Sequence, residues 1–267
     1  MANQQKVAII GAGVMGEALI AALVLAGVAP AMIAIVEKRR ERVAELIDHY
    51  GVISQPLDEA VSTNDVILLV VKPQDLQALL QEISPMINKS ALLLSFAAGK
   101  RIDFIAGQLG TGNPIVRIMP NTPTLIGLGA AGYSCAAGVS AEQRNFVSSL
   151  LSAAGKAIEI DESLQSAVTA TSGSGPAYFF AFVEAMIDGA VTLGLSREDA
   201  TTLTIQTITG SAALLERSGD SPTTLREKVT SPNGTTAAAL ASFSESHLAE
   251  IVTRAMKAAH DRAEELA

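Results

Sequence analysis

Apolar positions along this chain fall into two regimes. Between residues 6 and 160, short runs of consecutive apolar residues alternate with longer stretches of helical character. The runs Lys6–Ile10, Met32–Glu37, Asp65–Val71, Ala91–Phe96, Pro114–Pro120 and Lys156–Ile160 read as strands. In Val66-Ile67-Leu68-Leu69-Val70-Val71 every position is apolar. A strand of that kind is buried on both faces, which is the condition of a parallel sheet covered by helices on each side. Strand alternating with helix gives βαβ units and so a doubly wound α/β sheet.

After Asp161 the strand signals stop, and the rest reads as helix interrupted at Gly173–Pro176, Gly194-Leu195-Ser196, Ser218–Pro222 and Ser231–Gly234. The expected organisation is a sheet domain over 1–161 and a smaller all-helical domain over 162–267, of an ordinary domain size. The helix expected from Tyr178 to Leu193 is apolar on nearly every face, with Glu184 and Asp188 its only charges. Such a helix must be surrounded, and so small a domain has few elements to surround it. A partner copy across a twofold axis is the expected cover; the simpler alternative is a helix sandwiched within one chain.

Composition narrows the function. At 267 residues and 49% hydrophobic content the chain can bury a sizeable core. A net charge of −8 argues against nucleic-acid binding, because the densest basic cluster, Lys38-Arg39-Arg40, is flanked by Glu37 and Glu41. The single Cys135 cannot form an intrachain disulfide, and Met1 to Lys6 carries no signal-peptide pattern, so the cytoplasm is the expected location. Ala18 to Val36 lacks charge and has the length of a membrane span. Gly27-Val28-Ala29-Pro30 breaks it, and no membrane association is expected.

Gly11-Ala12-Gly13-Val14-Met15-Gly16 follows the first strand and opens a helix. Gly11 permits the tight turn, Gly13 lets backbone approach a pyrophosphate, and Gly16 permits close helix–strand packing. The N–H groups of the first turn, at Val14 and Met15, face the anion. This is the Rossmann dinucleotide fingerprint in its required context. Glu37 stands where a carboxylate takes the adenine ribose hydroxyls of NAD, about 20 residues beyond the fingerprint. Lys38 and Arg39 follow directly, and a guanidinium there suits the 2′-phosphate of NADP. Both cofactors stay open, with a slight preference for NADPH; for most of these charges the plainer alternative is a solvated helix start. Val71-Lys72-Pro73-Gln74 ends a strand at the carboxyl edge of the sheet, where Lys72 can direct a cation at cofactor or substrate. Met119-Pro120-Asn121-Thr122-Pro123 closes a later strand at the same edge, so Asn121 or its neighbouring backbone is a candidate to hold the nicotinamide ring.

The helical half offers few proton donors: His247, His260, Lys228 and Lys257 lie in what reads as ordinary helix. A keto acid reductase needs a proton donor for its alkoxide, whereas a cyclic imine arrives protonated and accepts hydride at carbon. Ser231-Pro232-Asn233-Gly234-Thr235-Thr236 lies at the start of a long Ala-rich helix. Its N–H groups and hydroxyls, at the positive end of a helix dipole, read as a carboxylate cradle. The alternative is simple capping by Ser231 or Thr235.

These motifs occur in the order found in the pyrroline-5-carboxylate reductase family, which the chain resembles over its whole length. The shared residues are the Gly11 fingerprint, Val71–Gln74, Arg117–Pro123, Ser172–Tyr178 and Ser231–Thr236. The resemblance implies a Rossmann domain followed by a helical dimerisation domain, a homodimer that in this family often assembles into decamers, and reduction of 1-pyrroline-5-carboxylate to L-proline with NADPH or NADH. It further implies that Ser231, Asn233, Gly234, Thr235 and Thr236 line the substrate site, with Thr236 at the ring nitrogen as the catalytic candidate. Two features depart from the family: Asn233 stands where Gly is usual, and Gln55-Pro56-Leu57 lacks the polar residue that many members place against the adenosine ribose. The rival readings are a 3-hydroxy acid dehydrogenase-like enzyme, which needs a catalytic lysine in the helical half, and a non-catalytic nucleotide-binding regulator.

Overall fold

The computed structural model describes residues 5–267. They form two compact units, one running through Pro176 and including Ala259–Ala267, the other Ala177–Ala258.

The first unit is built on an eight-stranded sheet of order β3-β2-β1-β4-β5-β6-β7-β8. The strands are β1 (Val7–Ile10), β2 (Ile33–Val36), β3 (Ile53–Ser54), β4 (Val66–Leu69), β5 (Leu92–Ser95), β6 (Ile115–Met119), β7 (Gly129–Cys135) and β8 (Gly155–Glu159). All pairs are parallel except β6 with β7. Val7 lies between Ile33 and Val66, and Ile10 between Val36 and Leu69. Every residue of β1, β4 and β5 is buried, as their unbroken apolar runs require. Alternate residues serve opposite faces. Ile9, Leu68 and Leu94 meet Leu19 and Leu23 of α1 (Val14–Leu25) and Phe146 and Leu150 of α6 (Ala141–Ala153). Ile67, Leu69 and Leu93 meet Leu76, Leu80 and Ile83 of α4 (Pro73–Ile83) and Ile105 of α5 (Ile102–Leu109). Each such side chain contributes about 1.5–3 kcal/mol by leaving water. The strand order reverses between β1 and β4, so a crevice opens there at the carboxyl ends of the strands.

All six expected strands are present, most with ends trimmed, and two more join them. β3 is a two-residue exposed edge strand, and β7 is built from Gly129-Ala130-Ala131-Gly132-Tyr133-Ser134-Cys135, too small in its side chains to register as an apolar run. The compact boundary also falls later than residue 161. The segment that follows β8 folds back over β7: Gln165 Nε2 donates to Ser134 Oγ at 2.9 Å, and Val168 covers Gly132, where a Cβ would come within 2.8 Å of it.

The second unit holds most of α8 (Gly175–Thr192) and α12 (Leu248–Glu265), together with α9 (Arg197–Ser218), α10 (Pro222–Lys228) and α11 (Thr235–Glu245). Ser196 and Ser221 cap α9 and α10, accepting from the N–H groups of Asp199 and Thr224, and Gly219 ends α9 in the left-handed conformation. The long Ala-rich helix expected after Thr236 is in fact two helices, because His247 takes a φ of 56° and breaks it. The expected break at Gly173–Pro176 is instead a π turn, Thr169–Gly173, leading almost directly into α8. In this chain Phe179 and Phe180 of α8 are each 65% exposed. Among the described residues no helix is long and apolar enough to cross a membrane.

Candidate active site

The fingerprint loop is held open from several directions. Gly11 has a φ of 96°, its N–H donates to Val36 O at 3.0 Å, and a Cβ there would run into the Val70 carbonyl. A Cβ at Gly16 would likewise strike the Gly11 carbonyl, so α1 can sit this close only with Gly16. Gly13 has open space where its side chain would be, and as N-cap of α1 it offers no side-chain bond. The first-turn N–H groups at Val14 and Met15 therefore remain for an anion, aided by about half a positive charge at the helix start. Arg42, in the charged stretch that follows Lys38-Arg39-Arg40, turns inward. Its Nε donates to Ala12 O at 3.2 Å and its guanidinium pairs with Glu17 and, at 2.8 Å, with Glu45. Tyr50 donates to the same Glu17 at 3.3 Å. An arginine within a run of charges carries no sequence signal for this inward role.

A cleft of about 980 Å³ lies along this loop, lined among others by Gly11, Gly13, Glu37, Lys38, Val71 and Lys72. Half of the expected cofactor residues thus line one cleft, and Pro73 opens α4 directly after Lys72. Arg39 is not part of the lining and is exposed beside it. Its Nε and Nη2 bond the two Glu37 oxygens at 3.0 and 3.3 Å, and its N–H donates to Glu37 Oε1 at 3.0 Å. The Arg39 guanidinium holds the Glu37 carboxyl below the usual carboxylate range, against the opposing effect of burial. Leu57 also lines the cleft, while Gln55 turns away to bond Asn64 and Glu59, each at 3.0 Å. The polar residue missing from Gln55-Pro56-Leu57 is thus missing from the cleft wall as well.

Asn121 is absent from that lining. Its amide bonds protein at both ends: Nδ2 donates to Ser172 O at 3.1 Å, and Oδ1 accepts from Ala130 N–H at 2.8 Å.

In the helical unit, Ser231 to Thr236 form a tight turn into α11. Asn233 takes a φ of 59°, the left-handed conformation that a glycine would adopt freely and that Asn tolerates. Gly234 N–H donates to Ser231 O at 3.0 Å, and a Cβ on Gly234 would collide with Ser231 Oγ. Gly234 is the N-cap, so no cap side chain occupies the helix start, and Thr235 and Thr236 are its first two residues. The capping bond that Ser231 or Thr235 was a candidate to supply is not formed. The turn therefore presents hydroxyls and first-turn N–H groups without a protein partner for the helix dipole. Among the basic residues of this unit, Lys228 bonds Asp220 at 2.6 Å, and His247 faces Glu250 at 3.2 Å.

A glycine-rich loop at the switch point of a doubly wound sheet, with a lysine at the same edge, is the arrangement of the dinucleotide-dependent oxidoreductases. The comparisons narrow the class. Residues 6–99 match the family described as NADP oxidoreductase, coenzyme F420-dependent, and residues 162–266 match pyrroline-5-carboxylate reductase dimerisation. A pyrroline-5-carboxylate reductase of Pseudomonas aeruginosa is 43% identical over 264 residues, covering 98% of this chain and 97% of that protein. The structure of a pyrroline-5-carboxylate reductase from Coxiella burnetii superposes with a TM-score of 0.93 at 33% identity, covering 99% of each chain. That of Plasmodium falciparum pyrroline carboxylate reductase, with NADP bound, superposes at 0.88 and 30% identity, covering 99% of this chain and 98% of that one. The chain belongs to the pyrroline-5-carboxylate reductase family. It is accordingly an NAD(P)-dependent oxidoreductase whose C-terminal region is of the type that builds homo-oligomers.

Proposed function

We propose that this chain reduces 1-pyrroline-5-carboxylate to L-proline, and that the turn from Ser231 to Thr236 holds the substrate carboxylate. The observation that carries this reading is the uncapped start of α11, where Gly234 leaves room for Ser231 Oγ and no cap side chain competes for the N–H groups. A nicotinamide dinucleotide fits the first unit on the open space at Gly13 and the unsatisfied first turn of α1; when bound, it supplies the hydride. Gly11, Gly13, Val14, Met15 and Gly16 bind its pyrophosphate, Glu37, Lys38 and Arg39 its adenosine end, and Val71, Lys72 and Pro73 border the crevice.

The acceptor is the C=N carbon of a ring whose nitrogen is already protonated. The electron pair of the double bond moves onto nitrogen as hydride adds to carbon, so no further proton is needed. Ser231, Asn233, Gly234 and Thr235 fix the carboxylate. Thr236 accepts a hydrogen bond from the ring N–H through its hydroxyl, which orients the carbon for attack. A threonine hydroxyl is too weak an acid to do more. A hydroxy acid dehydrogenase needs a catalytic lysine in the helical half, and Lys228, which bonds Asp220 at 2.6 Å, lacks the motif for it.

The active form is taken to be a homodimer through residues 162–267, with decamers as the further assembly, residues 1–161 as the cofactor domain and the cytoplasm as the location. NADPH is the slightly preferred cofactor, because Arg39, anchored by Glu37, presents a guanidinium beside a carboxylate that is no longer free for a ribose diol. Loss of nicotinamide absorbance on mixing with 1-pyrroline-5-carboxylate, in parallel with NADPH and NADH, tests both points. Oxidation is expected with both, faster with NADPH, and Arg39→Gln lowers kcat/KM for NADPH about tenfold or more while leaving NADH within about twofold. No oxidation with either cofactor contradicts the reading.

A further inference from the structure

Two of the motifs at the carboxyl edge of the sheet are chemically paired. In α-helical geometry the carbonyl of Ser172 takes its hydrogen bond from the residue four positions on, and that residue is Pro176, which has no N–H. The proline ring also crowds the same carbonyl. The chain relieves this with the π turn Thr169–Gly173, closed by Ser174 N–H to Thr169 O at 2.8 Å. Such turns are uncommon and concentrate at functional sites. The missing donor for Ser172 O comes from the loop after β6: Asn121 Nδ2 reaches it at 3.1 Å, while Asn121 Oδ1 is fixed by Ala130 N–H at 2.8 Å. Asn121 is only 9% exposed and Ser172 is half-buried, so a buried amide supplies the donor that this partly shielded carbonyl lacks. Gly173 completes the joint, since a Cβ there would meet Met119 Cε at 2.5 Å.

We infer that Asn121 is a positioning residue that latches the π turn to the end of β6, rather than a ligand of the nicotinamide ring. This rests on the proposed reduction. β6 runs parallel to β5, and β5 to β4 and β1, so Met119–Asn121 and the π turn stand at the same sheet edge as Gly11 and Lys72. With the adenosine end on the β2 side, at Lys38 and Arg39, this joint lies on the nicotinamide side. Asn121 acts there through the backbone of Met119-Pro120 and of Ser172–Gly175, setting the wall against which hydride transfer is aligned. A displacement of the order of 1 Å at such a wall costs about a hundredfold in rate.

The test is a double-mutant cycle with three readouts. Asn121→Asp keeps the acceptor for Ala130 and replaces the donor with an oxygen facing the Ser172 carbonyl. It is expected to lower kcat by about tenfold or more, to speed exchange of the Ser174 amide about tenfold, and to leave the NADPH Kd, measured by fluorescence titration, within about threefold. Pro176→Ala returns an N–H to Ser172 O, so in that background Asn121→Asp changes kcat and exchange by less than about threefold. Additive effects, or a raised NADPH Kd with unchanged Ser174 exchange, overturn the latch. If Asn121→Asp alone does not fold, recovery of NADPH-binding protein on adding Pro176→Ala supports the latch, and failure to recover overturns it. Exchange and Kd need no turnover. An unaltered chain that is inactive on 1-pyrroline-5-carboxylate would therefore refute the proposed reaction while leaving the latch to be decided by the other two readouts.

Discussion

Thr236 and Arg42 mark the two ends of what single residues reveal. Thr236 is legible because its neighbours are: Pro232, Gly234 and two consecutive threonines at a helix start form a combination that capping alone does not require. The structure adds that Asn233 keeps the left-handed turn and that no capping bond competes. Arg42 gave no signal in sequence and Asn121 read as a candidate for the nicotinamide ring, because the bond each makes is to a backbone carbonyl, at Ala12 and Ser172, brought near by tertiary folding. The orienting role proposed for Thr236 has a specific kinetic outcome. Thr236→Ala is expected to raise KM several-fold and lower kcat by no more than about tenfold, since a single hydrogen bond from the protonated ring nitrogen is lost. A kcat loss of about a thousandfold with unchanged KM would assign it proton transfer, and an unchanged kcat/KM would remove it from the site.

At the level of elements, burial decided what could be read. β1, β4 and β5 are covered on both faces and announce themselves as unbroken apolar runs. β7 lies between β6 and β8 yet carries two glycines and two alanines in its first four residues, because Thr124, Ala154 and Val168 press against it and leave no room for larger side chains. Sequence patterns record apolar volume, and a strand packed through its backbone has little of it. The division of α11 from α12 was hidden for a different reason. A break made by glycine or proline is visible, whereas one made by His247 in the left-handed conformation is not. The π turn resembled a helix end because Gly173 and Pro176 usually mark one; here Asn121 supplies the bond that lets the helix continue.

At the scale of the molecule, the apolar α8 has an expected partner. Phe179 and Phe180, each 65% exposed in the single chain, represent large aromatic surfaces that a soluble monomer rarely leaves open together. Phe179→Asp combined with Phe180→Asp is expected to shift sedimentation from oligomer to monomer and to lower Tm, whereas unchanged sedimentation would place the contact elsewhere. The central claim is that the first unit's cofactor delivers hydride to the imine carbon of a substrate held by Ser231–Thr236. Its most direct test uses NADPH carrying deuterium at the transferable C4 position, with 1-pyrroline-5-carboxylate and the purified chain, and mass and NMR analysis of the product. The account predicts L-proline with one deuterium at C5. Unlabelled product, deuterium at another carbon, or oxidation of NADPH without proline would contradict it.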